Sequence, residues 1–343
     1  MTTDYTVDFD RHPHAFGRPA STGRLRSSPE DFEVEEVLGF APDDDGPHQL
    51  LWVEKRGANT EWVAKQFARL AGCRAMDVGF SGMKDRHAVT RQWFSVPAPK
   101  QSLDWTAVDV EGVRVLAVHA HRRKLRRGAH RANRFVLTLR AVVDGGDLDE
   151  RCERIARAGV PNYFGPQRFG PRGDNVARAI DGARGGIYLS AARSFLFNEV
   201  LAARLREGSW DRLLPGEAVQ LDGSGSFFLA EAIDGTLLER LANFDIHPSG
   251  PLWGRGEPPS LGEAAAIERA VVERFPEAAA LVERAGMRQE RRPLRLTVRD
   301  IRLARPEPGV LVIAFELPAG AFATSVLREL IDTPQGDEHA RAD

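Results

Sequence analysis

A change of texture that later reverses itself constrains this chain most. Early in the chain the sequence alternates apolar and polar residues, as in Phe32 to Val37 (FEVEEV) and Val108 to Val118. That is the period of half-buried strands. From Gly159 to about residue 290 it is instead punctuated by Gly, Pro and short helical patterns. Strand-like runs return at Leu294 to Leu303 and Leu311 to Leu317, with a turn around Pro306 to Gly309. A chain that resumes its first texture near its end points to a strand-rich unit interrupted by a second unit. Further strands are expected at Leu50 to Val53, Val78 to Phe80, Val89 to Val96 and Phe135 to Val143. Asn59 or Thr60 can cap a helix that carries Trp62, Val63, Phe67 and Leu70 and ends near Gly72. Leu148 to Ala158, Asn175 to Ile180, Ala191 to Arg206 and Ala323 to Ile331 read as helices, and residues 1–20 as a loose arm. The fold class is α+β.

The 343 residues suffice for two domains, and 42% hydrophobic with 28% charged residues is ordinary for a globular protein. No stretch is long and apolar enough to span a membrane. The start, MTTDYTVDFDRH, is polar and acidic, so no secretion signal is expected. Cys73 and Cys152 are the only cysteines and stand far apart, which fits a reduced, cytoplasmic compartment. His12/His14 and His119/His121 have strand spacing but no third ligand nearby, so no metal is expected. The Gly-containing segments lack the spacing of phosphate-binding loops, and no G-x-S-x-G marks an acyl-transfer nucleophile.

Net charge is −2, yet the charges are segregated. Ser28 to Asp45 holds eight acids and no base, and His121 to Arg140 holds eight Lys/Arg and no acid. Arg288 to Arg302 adds six Arg against two acids. Such segregation can leave a basic face for a phosphate backbone on a near-neutral protein. Alternatively, the acids meet the bases in the fold and the faces cancel.

One stretch concentrates chemistry: Phe80 to Val96, FSGMKDRHAVTRQWFSV, sets Lys84-Asp85-Arg86-His87 in the corner between two apolar runs. Taken alone, this is a salt-bridged hairpin turn. It is also what a catalytic carboxylate in a basic pocket requires. A neighbouring cation keeps Asp85 ionised, and an ionised carboxylate serves as nucleophile or general base.

The stretch from Gly79 to Gln92, GFSGMKDRHAVTRQ, closely resembles the signature of the TruD family of tRNA pseudouridine synthases. Four other segments fit the same family in order: Ser28 to Glu36 (SPEDFEVEE), Gly128 to Phe135 (GAHRANRF), Asn162 to Gly170 (NYFGPQRFG) and Leu317 to Glu329 (LPAGAFATSVLRE). The resemblance implies a pseudouridine-synthase catalytic domain, a mixed or antiparallel sheet with flanking helices. A TruD-specific α/β domain would be inserted into it. Residues 1–158 and 297–343 would form the catalytic domain and 159–296 the insertion. It implies conversion of a tRNA uridine, typically position 13 in the D-arm, to pseudouridine in a cleft between the two. Neither metal nor small-molecule cofactor is implied. The family's nucleophile falls on Asp85, and its substrate-contacting positions on Phe32, Asn133 and Phe322, with Phe135 beside the target base. These types suit the task. A flipped base is held by stacking and by hydrogen bonds to its edge, and Asn133 can both donate and accept. In their own strand context, Phe32 and Phe135 read as core residues. The chain carries Arg26 and Arg86 where many relatives carry Lys; both are cations, with different geometry. The Asp43 to Asp45 loop, a solvated turn, departs from the pattern.

Two other readings compete. A non-catalytic tRNA-binding or chaperone protein would need the basic patches but not Asp85. A carboxylate-dependent hydrolase would need a second motif-flanked carboxylate, and none stands out. A monomer is expected, since one chain supplies both walls of such a cleft, and no membrane partner is.

Overall fold

The computed structural model describes residues 4–99 and 101–333. The described chain forms two compact units. One runs from Ser21 to Cys152 and takes up Val298–Ala321 again; the other holds the chain up to Ala20, Glu153–Thr297 and the chain from Phe322.

The first unit is built on a nine-stranded sheet. Its strands are β1 (Thr22–Leu25), β2 (Phe32–Leu38), β3 (His48–Arg56), β4 (Gly79–Phe80), β5 (Val89–Pro97), β6 (Val113–His121) and β7 (His130–Val143). The returning chain adds β14 (Arg299–Ala304) and β15 (Leu311–Pro318). The order is β14-β15-β7-β2-β5-β3-β6, with β1 also on β7 and β4 on β5. Only the β2–β5 pair is parallel among the pairings described. Helix α1 (Thr60–Ala71) covers one face through Val63, Ala64, Phe67 and Ala68, spaced at i, i+1, i+4 and i+5 so that they line one side. Trp62 and Leu70, expected on that stripe, are exposed instead. Gly72 closes the helix in the left-handed conformation at φ 65°, which costs glycine no Cβ clash. Phe67 packs edge-on against Phe94 and Trp105.

β7 starts five residues before the expected Phe135. Its basic start lacks an apolar alternation of its own, but β2 and β15 flank it and pair with it. Pairing on both sides outweighs the weak local preference. Conversely, the alternation expected from Val108 begins as strand only at Val113.

Helix α2 (Leu148–Ala158) straddles the division between units. The second unit contains α3 (Asn175–Ile180), α4 (Gly186–Arg206), α5 (Gly235–Ala242), α6 (Gly262–Arg274), α7 (Pro276–Arg284) and α8 (Ala323–Leu330). Its strands are β8 (Val160–Pro161), β9 (Glu217–Leu221), β10 (Phe227–Ala230), β11 (Ile246–Leu252), β12 (Glu290–Pro293) and β13 (Arg295–Leu296). Helix α4 is its core: Ala191, Phe195, Leu196, Phe197, Val200 and Leu201 are all buried. The four-stranded sheet β10-β9-β11-β12 was not legible in the Gly/Pro texture. β11 holds Pro248 and Pro251, which lack an N–H and are usually confined to edges. They fit because the first half of β11 pairs with β9 and the second half with β12. The strand expected over Leu294 to Leu303 is split among β13 and β14, with β12 just before it.

The N-terminal segment is not a loose arm. Tyr5 is 6% exposed, packs against Phe195 and Phe275, and its hydroxyl donates to Glu277. Val7 N–H donates to Gly173 O at 2.9 Å.

Candidate active site

The site follows from the period of two along four neighbouring strands. Pairing sets Val34 opposite Phe135, Glu36 opposite Asn133, and Phe135 opposite Phe315. Val34 pairs with Thr90, Thr90 with Lys55, and Gln92 with Val53. Directly opposed residues share a sheet face, so Lys55, Thr90, Gln92, Glu36, Asn133, Phe135 and Phe32 all project from one side. An apolar face would be the rule. Here a polar band of Lys55, Gln92, Glu36 and Asn133 crosses it, and every member is buried.

The loop between β4 and β5 is tied down on this band. Lys84 N–H donates to Thr60 Oγ1 at 3.1 Å, and the Thr60 hydroxyl donates to Gln92 Oε1 at 3.0 Å. Gln92 Nε2 donates to Gly82 O at 3.1 Å. The Lys84 ammonium meets Glu36 at 2.9 Å, with the two side chains 6% and 0% exposed. Gly82 has room for little else: a Cβ there would stand 3.0 Å from Lys84 Nζ and 3.2 Å from His130 Cε1. Lys55, 1% exposed, donates to three carbonyls, of Ala58 (2.9 Å), Lys84 (3.3 Å) and Asp85 (3.0 Å). Burial lowers its pKa from 10.5 to about 8, opposed by the nearby Asp85 charge.

Asp85 sits on this support with its side chain 33% exposed. Its Oδ1 accepts the N–H of His87 at 2.9 Å, an Asx-type turn. Its Oδ2 lies 3.1 Å from Arg26 Nη2. Both contacts fix the orientation of the carboxylate. Arg26 stands at φ 63°, in the left-handed region, and its guanidinium lies 4.4 Å over the Phe32 ring. Backbone strain of this kind concentrates at functional sites. The short hairpin-like corner is thus a supported carboxylate, partly open to solvent.

Phe32 and Phe135 are both buried and meet edge to face at 6.2 Å, and Phe135 stacks on Phe315 at 5.4 Å. They are core residues, as their strands imply, and the Arg26 guanidinium joins that cluster to Asp85. Asn133 is 7% exposed, and its Nδ2 lies 3.3 Å from His130 Nε2. Burial holds His130 below its ordinary pKa, so the ring is neutral at neutral pH and this nitrogen can accept. Asn133 Oδ1 has no partner among the described residues. Phe322, half-buried at the start of α8, belongs to the other compact unit. Sequence reasoning passed over Arg26 as a site residue and missed Lys55, Glu36 and His130. The signal for Lys55 and Glu36 was available: each falls in phase with buried neighbours, Leu51 and Val53 for one, Phe32 and Val34 for the other.

The segregated charges largely meet in the fold. Arg140 forks onto Asp31 at 2.9–3.1 Å, Arg134 contacts Glu35 at 3.3 Å, and Arg131 contacts Glu316 at 3.1 Å. Of the later basic segment, Arg291 and Arg295 are buried and structural. Arg291 pairs with Glu268 at 2.8 Å, and Arg292 donates to Asn162 Oδ1 at 2.6 Å. Burial lowers the pKa of Arg292 and Arg295 to about 10. The basic face therefore reduces chiefly to the run from Arg122 to Arg127. Among the described residues no group of His, Cys, Asp and Glu could hold a metal ion, and no helix is long and apolar enough to cross a membrane.

Comparison with known proteins bears on the chain as a whole. A family model described as tRNA pseudouridine synthase D (TruD) matches residues 9–180 and 175–330. The chain is 48% identical to the tRNA pseudouridine synthase D of Methylococcus capsulatus, over 96% of each chain. It is 47% identical to that of Chromohalobacter salexigens, over 94% of this chain and 97% of the relative. A crystal structure assigned as a tRNA pseudouridine synthase D from Methanosarcina mazei superposes with TM-score 0.74 at 19% identity, covering 95% of this chain and 96% of that one. At that identity the likeness is one of fold. With the sequence matches running nearly end to end, the chain belongs to the tRNA pseudouridine synthase D (TruD) family.

Proposed function

We propose that this protein is a tRNA pseudouridine synthase that isomerises one D-arm uridine, position 13, with Asp85 as its nucleophile. The observation that carries the assignment is the state of Asp85. Its carboxylate is held between Arg26 at 3.1 Å and the His87 N–H at 2.9 Å, remains partly exposed, and belongs to a TruD-family chain. Phe32 and Phe135 are proposed to back the pocket of the flipped base from the core, and Asn133 to hydrogen-bond its edge through the acceptor that has no other described partner.

The reaction needs no net redox change. The Asp85 carboxylate attacks C1′ of the ribose, or C6 of the base, and the N1–C1′ bond breaks. The detached uracil rotates so that C5 faces C1′. The C5–C1′ bond forms as Asp85 leaves, and a base removes the C5 proton while N1 is protonated. Arg26 aims the attacking carboxylate, and Lys55 and the Thr60–Gln92 pair hold the backbone of its loop. The chemistry is proposed to lie in the unit of Ser21–Cys152 and Val298–Ala321, and residues 159–296 are proposed to be the family-specific insertion. The protein is proposed to act as a monomer, without metal or cofactor.

Carbodiimide labelling and primer extension on tRNA transcripts test this. Wild type should give one stop, at a D-arm uridine, and Asp85→Asn none. Modification by both would remove Asp85 from the role. Tight tRNA binding with modification by neither would favour a non-catalytic RNA-binding protein.

A further inference from the structure

A broad cavity of the first unit opens away from Asp85. It is a basin of about 1300 Å³, and its lining includes Phe40, Met76, Phe80 and the run Arg122 to Arg127; neither Asp85, Asn133 nor Phe32 lines it. Its walls combine two features. One is a ring of cations. Arg122 is held by Asp45 at 2.7 Å, Arg127 by Glu61 at 3.5 Å, and Lys124 donates to Met76 O. Arg123 and Arg126 are exposed and make no ion pair among the described residues, although neighbours on both sides do. The other is an exposed aromatic face. Phe40 is 41% exposed and lies flat on the His121 ring, 5.5 Å between centroids and 14° between planes. Behind it, His121 is held by Asp43 at 2.8 Å, so the platform is braced.

We infer that this basin is a second RNA-binding subsite, separate from the Asp85 pocket. In it Arg123 and Arg126 take phosphates of a single-stranded or looped stretch, and the Phe40–His121 pair stacks one of its bases. The inference rests on the proposed function for the identity of the RNA. Unpaired cations beside an exposed, preformed stacking face are what sequence-tolerant single-strand binding uses, and the charge complements a polyanion. An acidic peptide would use the cations but gain nothing from a flat aromatic pair. The floor of the basin is also the rear of the catalytic support. Phe80 of β4 lies 3.8 Å under the Arg127 guanidinium, and the strand's next residues lead into the Asp85 loop. Asp45 occupies the Arg122 guanidinium in the free protein, in the bidentate manner of a phosphate. It is the group an incoming phosphate would displace.

The test uses the full-length protein, a tRNA transcript and a twelve-nucleotide uridine-rich RNA, with binding measured across a salt series. Arg123→Ala/Arg126→Ala should weaken both RNAs about tenfold near physiological salt and lower the log–log salt slope by about 1.4, two single-strand phosphates at ~0.7 each. Phe40→Ala should weaken binding with the slope unchanged, and Asp45→Asn should tighten it. kcat at saturating tRNA should stay at the wild-type value in all three. Unchanged affinity and slope in the double variant would overturn the subsite. So would equal loss of affinity for a poly-glutamate peptide and for RNA. Absence of pseudouridine with wild type would count against the proposed function alone, because the binding curves read the basin independently of turnover.

Discussion

Among single residues, Lys55 shows how the sheet reaches the chemistry. Its buried ammonium satisfies three carbonyls, one of them that of Asp85 itself. A neutral amine has only two N–H groups, so deprotonation leaves one carbonyl without its donor and removes a positive charge beside the carboxylate. With a pKa near 8, kcat/KM should fall as pH rises above about 8, since that parameter reports the free enzyme. Stability should move the other way. The folded pKa lies below the unfolded value of 10.5. The unfolded chain therefore binds more protons between about 8 and 10.5, and this group adds stability as pH rises through that window and removes it as pH falls. Opposite trends in activity and melting temperature above pH 8 are thus the signature, and Lys55→Arg should abolish the alkaline limb. A flat activity profile to pH 9 in wild type would show that Lys55 does not support the nucleophile. Lys55 and Glu36 also mark how much of the site was legible. Asp85, Asn133, Phe32 and Phe135 stood out through the segments that carry the resemblance. Lys55 and Glu36 needed only the period of two, which places both among buried apolar neighbours. A charge in that phase signals a buried pair or a polar support. Arg26 carried no such signal, because its position depends on a left-handed turn that no local pattern encodes.

Among elements, the two residues of β4 connect the basic run to the catalytic loop. A Cβ on Gly79 would lie 2.4 Å from Leu125 O and 2.5 Å from Ser95 Oγ. The carbonyl is backbone and cannot swing aside, so Gly79→Ala must push the run from Arg122 to Arg127 away from the strand. Overpacking of this kind costs roughly 1–3 kcal/mol. The expected result is a lower melting temperature and a raised KM for tRNA. Gly186→Ala, where nothing stands within 4 Å, is the control and should leave both unchanged. If Gly79→Ala matched the control, the close approach of β4 to the basic run would be refuted. The strands with clean alternation, β2, β5 and β15, were legible within a residue or two. β9 to β12 were not, because β11 tolerates its prolines only through pairing that changes partner halfway along. Long-range pairing of that kind leaves no local trace.

For the whole molecule, the consequential feature is that the chain leaves the nine-stranded sheet and comes back. β15 pairs with β7 residue by residue from Leu311 opposite Leu139 to Pro318 opposite Ala132. It thereby covers the edge of the strand that carries Asn133 and Phe135. The texture change revealed this return in the sequence, although not that the segment before Ala20 and the chain from Phe322 pack with the intervening unit. The segment's Tyr5 looks like a polar-terminus residue until its core neighbours Phe195 and Phe275 are known. A chain ending at Thr297 would keep every residue of β1 to β7 and Asp85. It would nevertheless expose one full edge of β7 and strip Phe315 from Phe135. An uncovered apolar strand edge invites pairing with other chains. The truncated protein should therefore accumulate as aggregates that bind hydrophobic dye. Supplying residues 298–343 as a separate chain during refolding should restore soluble protein, since the hairpin of β14 and β15 forms its own turn and needs only β7 to dock on. A soluble, cooperatively melting truncation would mean that the sheet closes without its returning strands, and that the register of β15 contributes nothing to holding Asn133 and Phe135 in place.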